Sequence, residues 1–147
     1  NPRSYYLDLF KHIKYAEKNQ TPFTPQIPLF FMLKVALNKI LDEGLPNKIK
    51  RYKKNGEVLK KRLKEIGFRF QLKEDKMSDL MVNAIVPEGF TYQELHDLLK
   101  ELGYITYPGK GHLEGKVIHV ANIGTLDEKD VIKFCDDLEE IIRSKKK

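Results

Sequence analysis

The chain of 147 residues has one cysteine, Cys135, and no tryptophan. A lone cysteine forms no internal disulfide and gives a metal no pair of thiolates, a usage that suits a reducing cytoplasm. No apolar run approaches the roughly 20 residues that a bilayer-spanning helix needs, so no membrane role is expected. None of the four histidines, His12, His96, His112 and His119, stands in a metal-ligand spacing such as HxxxH, and no serine sits in a nucleophile elbow. Hydrolase and metalloenzyme readings are thereby set aside. Internal repeats and low-complexity stretches are also absent. The chain opens on Asn1 rather than Met, and residues 1–9 have neither the charged start nor the apolar stretch of a signal peptide, as expected of a fragment or processed chain.

What is present is a globular composition, 41% hydrophobic and 33% charged, in a chain long enough for one domain with a real core. A net charge of +6 leaves nucleic acid open as a partner. However, nine of the basic residues fall between Lys48 and Lys64, where a solvated helix face accounts for them. Gly67-Phe68-Arg69-Phe70 is faintly like the aromatic strand of an RNA-recognition module. Such a module wants stacking residues on the neighbouring strand too, and Leu80 to Val86 contains none. An RNA-binding or protein-interaction domain without catalysis is the alternative reading. The final Lys145-Lys146-Lys147 reads as a frayed end.

Periodicity orders the elements. A short helix is expected around Leu9–Glu17, followed by an arm with the run Thr21-Pro22-Phe23-Thr24-Pro25. A largely buried helix is expected from Ile27 to Glu43, with Gly44 as its stop. A second helix starts near Pro46, places Ile49, Tyr52, Leu59, Leu63 and Ile66 on its apolar side, and ends at Gly67. The period then changes to two: Phe68, Phe70 and Leu72 mark one strand and Leu80–Val86 another. Thr91 and Glu94 have capping-box spacing for a helix over Tyr92–Leu102. Short strands follow at Tyr104–Tyr107 and Val117–Ala121. A second box, Thr125 with Glu128, opens a last helix that buries Val131, Phe134, Leu138, Ile141 and Ile142. The order ααββαββα predicts an α+β two-layer sandwich, with about four mainly antiparallel strands covered on one side by helices.

Few residues suggest chemistry on their own. Gly109-Lys110-Gly111 has part of the look of a phosphate cradle but lacks the Walker spacing, and a plain turn accounts for it. His119 interrupts an apolar strand, where a buried histidine with a backbone partner is the ordinary finding. Asn122-Ile123-Gly124 falls where a strand ends before a helix, an edge at which ligands often sit.

Several segments, in order, resemble class V aminotransferases, most closely the 2-aminoethylphosphonate:pyruvate and alanine:glyoxylate or serine:pyruvate branch. Tyr5-Tyr6-Leu7-Asp8-Leu9 resembles the aromatic-Asp-Leu segment, and Thr21-Pro22-Phe23-Thr24-Pro25 is similar to "TP-x-TP". Ala36-Leu37 to Glu43-Gly44 is similar to "ALxxILxEG". Arg51-Tyr52 falls at an "R-aromatic/His" site. Leu102-Gly103-Tyr104, Tyr107-Pro108-Gly109-Lys110 and Asn122-Ile123-Gly124 resemble "GYxxYPGK" and "RIGNIG".

The resemblance implies a fold-type I enzyme that uses pyridoxal phosphate to move an amino group from a small amino acid or aminophosphonate to a 2-oxo acid. It implies a homodimer with active sites between subunits, residues 1–45 forming the end of the large domain and residues 46–147 the small domain. The lysine that carries the cofactor, and the aspartate that pairs with its ring nitrogen, would lie before Asn1. No catalytic residue is therefore expected within this chain, which by itself should not transaminate. Two positions carry over. Thr24 matches the threonine that reaches the cofactor phosphate of the partner subunit, although it could equally cap the helix beginning near Ile27. His119 falls where the family has an arginine that grips the substrate carboxylate. Histidine lacks the planar fork of arginine, so either the substrate is unusual, or Lys110 supplies the cation, or amino-acid transamination has been lost. Thr125 likewise replaces an acidic residue of the last motif.

Overall fold

The computed structural model describes residues 4–145. Lys146 and Lys147, expected to fray, lie outside the described residues. The chain divides into two compact units, Asn1–Gly44 and Leu45–Lys147.

The first unit carries two helices, α1 (Leu9–Ala16) and α2 (Ile27–Glu43). Asp8 caps α1, its carboxylate accepting from the Phe10 and Lys11 N–H groups at 3.1 and 3.4 Å. Phe23 is the hub of the arm: Tyr6 stacks on it with centroids 4.4 Å apart, Tyr5 meets it edge-on, and the Lys11 ammonium lies 4.4 Å from its centroid. Gly44 ends α2 with φ +79°, a conformation that glycine adopts without a Cβ penalty. The expectation of a buried α2 is not met within this chain. None of its 17 residues is buried, and Phe30, Phe31, Met32 and Leu33 are all exposed. A helix apolar on most sides requires cover on most sides, and this chain does not provide it.

The second unit is an α+β sandwich. Helices α3 (Leu45–Ile66), α4 (Tyr92–Glu101) and α5 (Glu128–Lys145) accompany a three-stranded antiparallel sheet of β1 (Met81–Ile85), β2 (Tyr107–Pro108) and β3 (Val117–Ala121). The strand order is β1-β3-β2. One face of the sheet, Val82 and Ala84 of β1 with Ile118 and Val120 of β3, packs with Leu59 and Leu63 of α3, Leu95 and Leu99 of α4, and Val131, Phe134, Leu138, Ile141 and Ile142 of α5. Each of these side chains larger than Ala84 contributes about 1.5–3 kcal/mol on leaving water, which makes this cluster the dominant stabilising term.

The Phe68–Leu72 strand is reduced to one bridge, Phe70 to Ala84, because the chain leaves the sheet edge after Gln71 for a 3-10 turn at Glu74–Lys76. β2 is likewise shorter and later than expected. The Thr91–Glu94 capping box is present in both directions, and the Thr91 backbone N–H, Lys145 and the Thr91 hydroxyl hold the Glu94 carboxyl down to about 2. The expected Thr125–Glu128 box is replaced by one two residues later, Asp127 with Asp130. Asp127 accepts from the Lys129 and Asp130 N–H groups at 2.8 and 3.1 Å, and its own N–H donates to the Asp130 carboxylate at 2.9 Å. A carboxylate is a stronger acceptor than a hydroxyl and is favoured by the helix dipole, so Asp127 takes the cap. The basic face of α3 is partly tied down: buried Lys60 pairs with Asp79 at 3.1 Å, and Arg62 reaches Glu65, Asp136 and Glu139.

Candidate functional site

Alternation along β3 decides where His119 points. Ile118 and Val120 enter the core, so His119 projects from the opposite face, which the core helices leave uncovered. It is half-buried there rather than a core histidine. Across the sheet Asn83 stands opposite it on β1 and Tyr107 on β2. The Leu80–Asn122 and Lys116–Val86 backbone bonds, at 3.0 and 2.9 Å, fix the alternation of the β1–β3 ladder. That alternation makes Asn83 and His119 a non-hydrogen-bonded pair, the kind in which facing side chains approach most closely. Tyr107 is 65% exposed.

The loop after β3 is clamped by α3. The Arg51 guanidinium donates to the Leu126 and Gly124 carbonyls at 2.8 and 3.1 Å, and the Asn55 amide donates to Leu126 at 3.0 Å. Tyr52 bonds Gly124 through its hydroxyl, which accepts from the Gly124 N–H at 3.1 Å. Burial pushes the Tyr52 phenol up, but the Gly124 bond, Lys48 and Arg51 outweigh it and hold the group below its ordinary value. Asn122, 2% exposed, donates from Nδ2 to the Asp79 and Tyr52 carbonyls at 2.9 and 3.4 Å. Asn122-Ile123-Gly124 thus anchors the strand that carries His119.

Lys110 is exposed on the loop that leaves β2, just before a 3-10 turn at Gly111–Leu113. Gly109 before it is buried, and a Cβ there would come within 2.5 Å of the Leu113 carbonyl oxygen and 2.6 Å of a Val117 methyl. The glycine of this motif is required by close packing of the backbone, and its N–H donates to the Val117 carbonyl at 3.1 Å. Among the described residues no ion pair involves Lys110, and no hydrogen bond joins it to His119.

In the first unit Thr24 is exposed, in a concavity of about 410 Å³ lined by Tyr6, His12, Thr21, Phe23, Gln26 and Phe30 among others. It does not cap α2. The N-cap is Gln26, whose side chain accepts no bond from the first turn, and among the described residues the Thr24 hydroxyl has no partner. The first-turn N–H groups of Ile27 and Leu29 are taken by the Pro25 and Gln26 carbonyls at 2.9 and 3.0 Å and Pro28 has none, so the free Thr24 hydroxyl is the group that can meet an anionic oxygen. Its donor chemistry therefore fits a phosphate. Among the described residues no group of His, Cys, Asp or Glu is arranged to hold a metal, and no helix is long and apolar enough to cross a membrane.

Sequence reasoning singled out His119, Lys110 and Thr24 as candidates but not Asn83, which the register sets opposite His119. The available signal was an amide at the centre of a strand, Met81–Ile85, whose other residues are apolar.

No family model matches the chain. It is 33% identical over 130 residues, 87% of its length, to an uncharacterized aminotransferase of Methanocaldococcus jannaschii, of which it spans 34%. It is 32% identical over 144 residues, 94% of its length, to the 2-aminoethylphosphonate–pyruvate transaminase of Bacillus cytotoxicus, of which it spans 39%. In three dimensions it matches the alanine–glyoxylate aminotransferase of Nostoc sp. with a TM-score of 0.84 and 29% identity, over 96% of this chain and 38% of that one. The chain thus spans little more than a third of the relatives that it matches. By sequence and fold together, it belongs to the class V, fold-type I aminotransferases and corresponds to their C-terminal portion.

Proposed function

We propose that this chain works within a pyridoxal-phosphate-dependent transaminase that moves an amino group from a small amino acid or aminophosphonate to a 2-oxo acid. The observation that carries the reading is that the similarity to a transaminase runs through 94% of the chain and so through both of its units. Residues 1–45 supply the end of the large domain and residues 46–147 the small domain. The exposed apolar side chains of α2 support this division, because they call for cover from the rest of the enzyme, including the second subunit of a homodimer. The cytoplasm suits a chain whose one thiol, Cys135, is free.

Bound pyridoxal phosphate supplies the electron sink, and the protein supplies binding and orientation. Thr24 donates its hydroxyl to a phosphate oxygen. His119 donates from its imidazole to the acid group of the substrate, and Lys110, on the neighbouring loop, adds positive charge to the approach. The clamp of Arg51, Tyr52 and Asn55 on the Gly124–Leu126 loop holds the strand of His119 still, which matters because positioning errors near 1 Å cost large factors in rate.

The deciding experiment is the visible absorption spectrum of the full-length protein before and after addition of alanine, serine or 2-aminoethylphosphonate. A cofactor band that shifts with one donor supports the reading and identifies the branch. A colourless protein that ignores added pyridoxal phosphate rejects it.

A further inference from the structure

Asn83 is a poor structural choice at its position. Asparagine is depleted in strands, where a β-branched residue packs better, and the other β1 residues, Met81, Val82, Ala84 and Ile85, are apolar. Its Oδ1 is also buried with no hydrogen-bond partner among the described residues, a cost that valine would avoid. Local rules broken without local compensation are expected where a residue serves a ligand. The register supplies the ligand's place, since Asn83 faces His119 as a closely approaching non-hydrogen-bonded pair on the side of the sheet away from the core helices.

We propose that Asn83 is a specificity-determining residue that binds the substrate's acid group jointly with His119. With its oxygen buried, the amide has only its NH2 end left to offer a ligand, and His119 on the adjacent strand offers an imidazole N–H. Two donors on adjacent strands then address two oxygens of one carboxylate or phosphonate, the task for which a guanidinium uses a single planar fork. Facing Cβ atoms in such a pair lie about 4.5–5.5 Å apart, a spacing from which two side chains can converge on one acid group. The proposal rests on the reading of His119 as the acid-group site, and adds the second donor that a histidine alone lacks.

Calorimetric titration of the full-length protein with propionate, a carboxylate with no amino or oxo group to react, tests binding without turnover. Steady-state kinetics with pyruvate complete the experiment. Asn83→Leu is expected to weaken propionate roughly tenfold and to raise KM for pyruvate by a similar factor with kcat retained, as loss of one hydrogen bond to a charged group implies. Asn83→Asp, nearly the same shape, is expected to weaken it further by presenting like charge, and carries the test if the leucine variant fails to fold. Asn83→Ser, which keeps a donor, should stay closest to the parent. If both Asn83→Leu and Asn83→Asp bind propionate like the parent while His119→Ala loses it, the role of Asn83 is overturned and that of His119 stands. If His119→Ala also binds like the parent, the acid-group site itself is elsewhere.

Discussion

Gly56 lies so close beneath Asp79 that a Cβ added to it would stand 2.6 Å from the Asp79 carbonyl oxygen. That oxygen is the one that accepts the Asn122 amide at 2.9 Å. A glycine inside a helix therefore lets α3 approach the segment that enters β1, and through Asn122 the end of β3.

Gly56→Ala sets two effects against each other. Alanine gains about 1 kcal/mol of helix propensity over glycine, but the contact is with backbone, which cannot rotate away. Overpacking of this kind costs about 1–3 kcal/mol, so the variant should be less stable than the parent. A melting temperature equal to or above the parent's would show that α3 can shift without loss.

The cap of α5 separates two aligned candidates. Asp127→Ala should cost about 1 kcal/mol, the usual loss of an N-cap, whereas Thr125→Ala should stay within about 0.5 kcal/mol. Urea denaturation of both variants checks this, and equal losses would return the cap to Thr125.

Cys135 lies in the core, and burial pushes its thiol up to about 12 from 9.0. Because the folded value is raised, the neutral thiol's contribution to stability is complete below about pH 9 and is lost as pH rises toward 12. At pH 8 the native protein should leave a thiol reagent such as Ellman's unreacted at this position, and denaturant should release it. Rapid labelling without denaturant would mean that α5 opens locally.

His119→Arg in the full-length protein restores the side chain found in the family. If His119 occupies the acid-group site, turnover of ordinary amino acids should rise, read as kcat/KM with alanine or serine. Unchanged or poorer kinetics would count against that position.

How far the sequence could be read differs by element, for physical reasons. Helix α5 and strand β3 were legible because their apolar phase is long or flanked by clear stops, and the buried face of α5 contains the five residues that its period predicts. The Phe68–Leu72 strand was over-read. Alternation shows which side chains would be buried but not whether a neighbouring edge is there to pair with, and only Phe70 finds one. The burial of α2 was over-read for a related reason: an apolar helix announces that it needs cover without saying which part of a protein supplies it. Among the candidate site residues, Thr24, Lys110 and His119 stand in recognisable motifs, whereas Asn83 lies 36 positions before His119 and becomes its neighbour only through the β1–β3 register. No local pattern encodes that pairing.

Strand β3 is fastened at both ends, by the Gly109–Val117 bond and close packing at one and by the hold of α3 on Asn122, Gly124 and Leu126 at the other. Its phase is consequently independent of what stands at position 119. Histidine and arginine codons can differ by a single base, so a lineage can exchange an imidazole for a guanidinium there while the scaffold remains as it was. If His119 occupies the acid-group site, substrate preference is then open to change at that one codon.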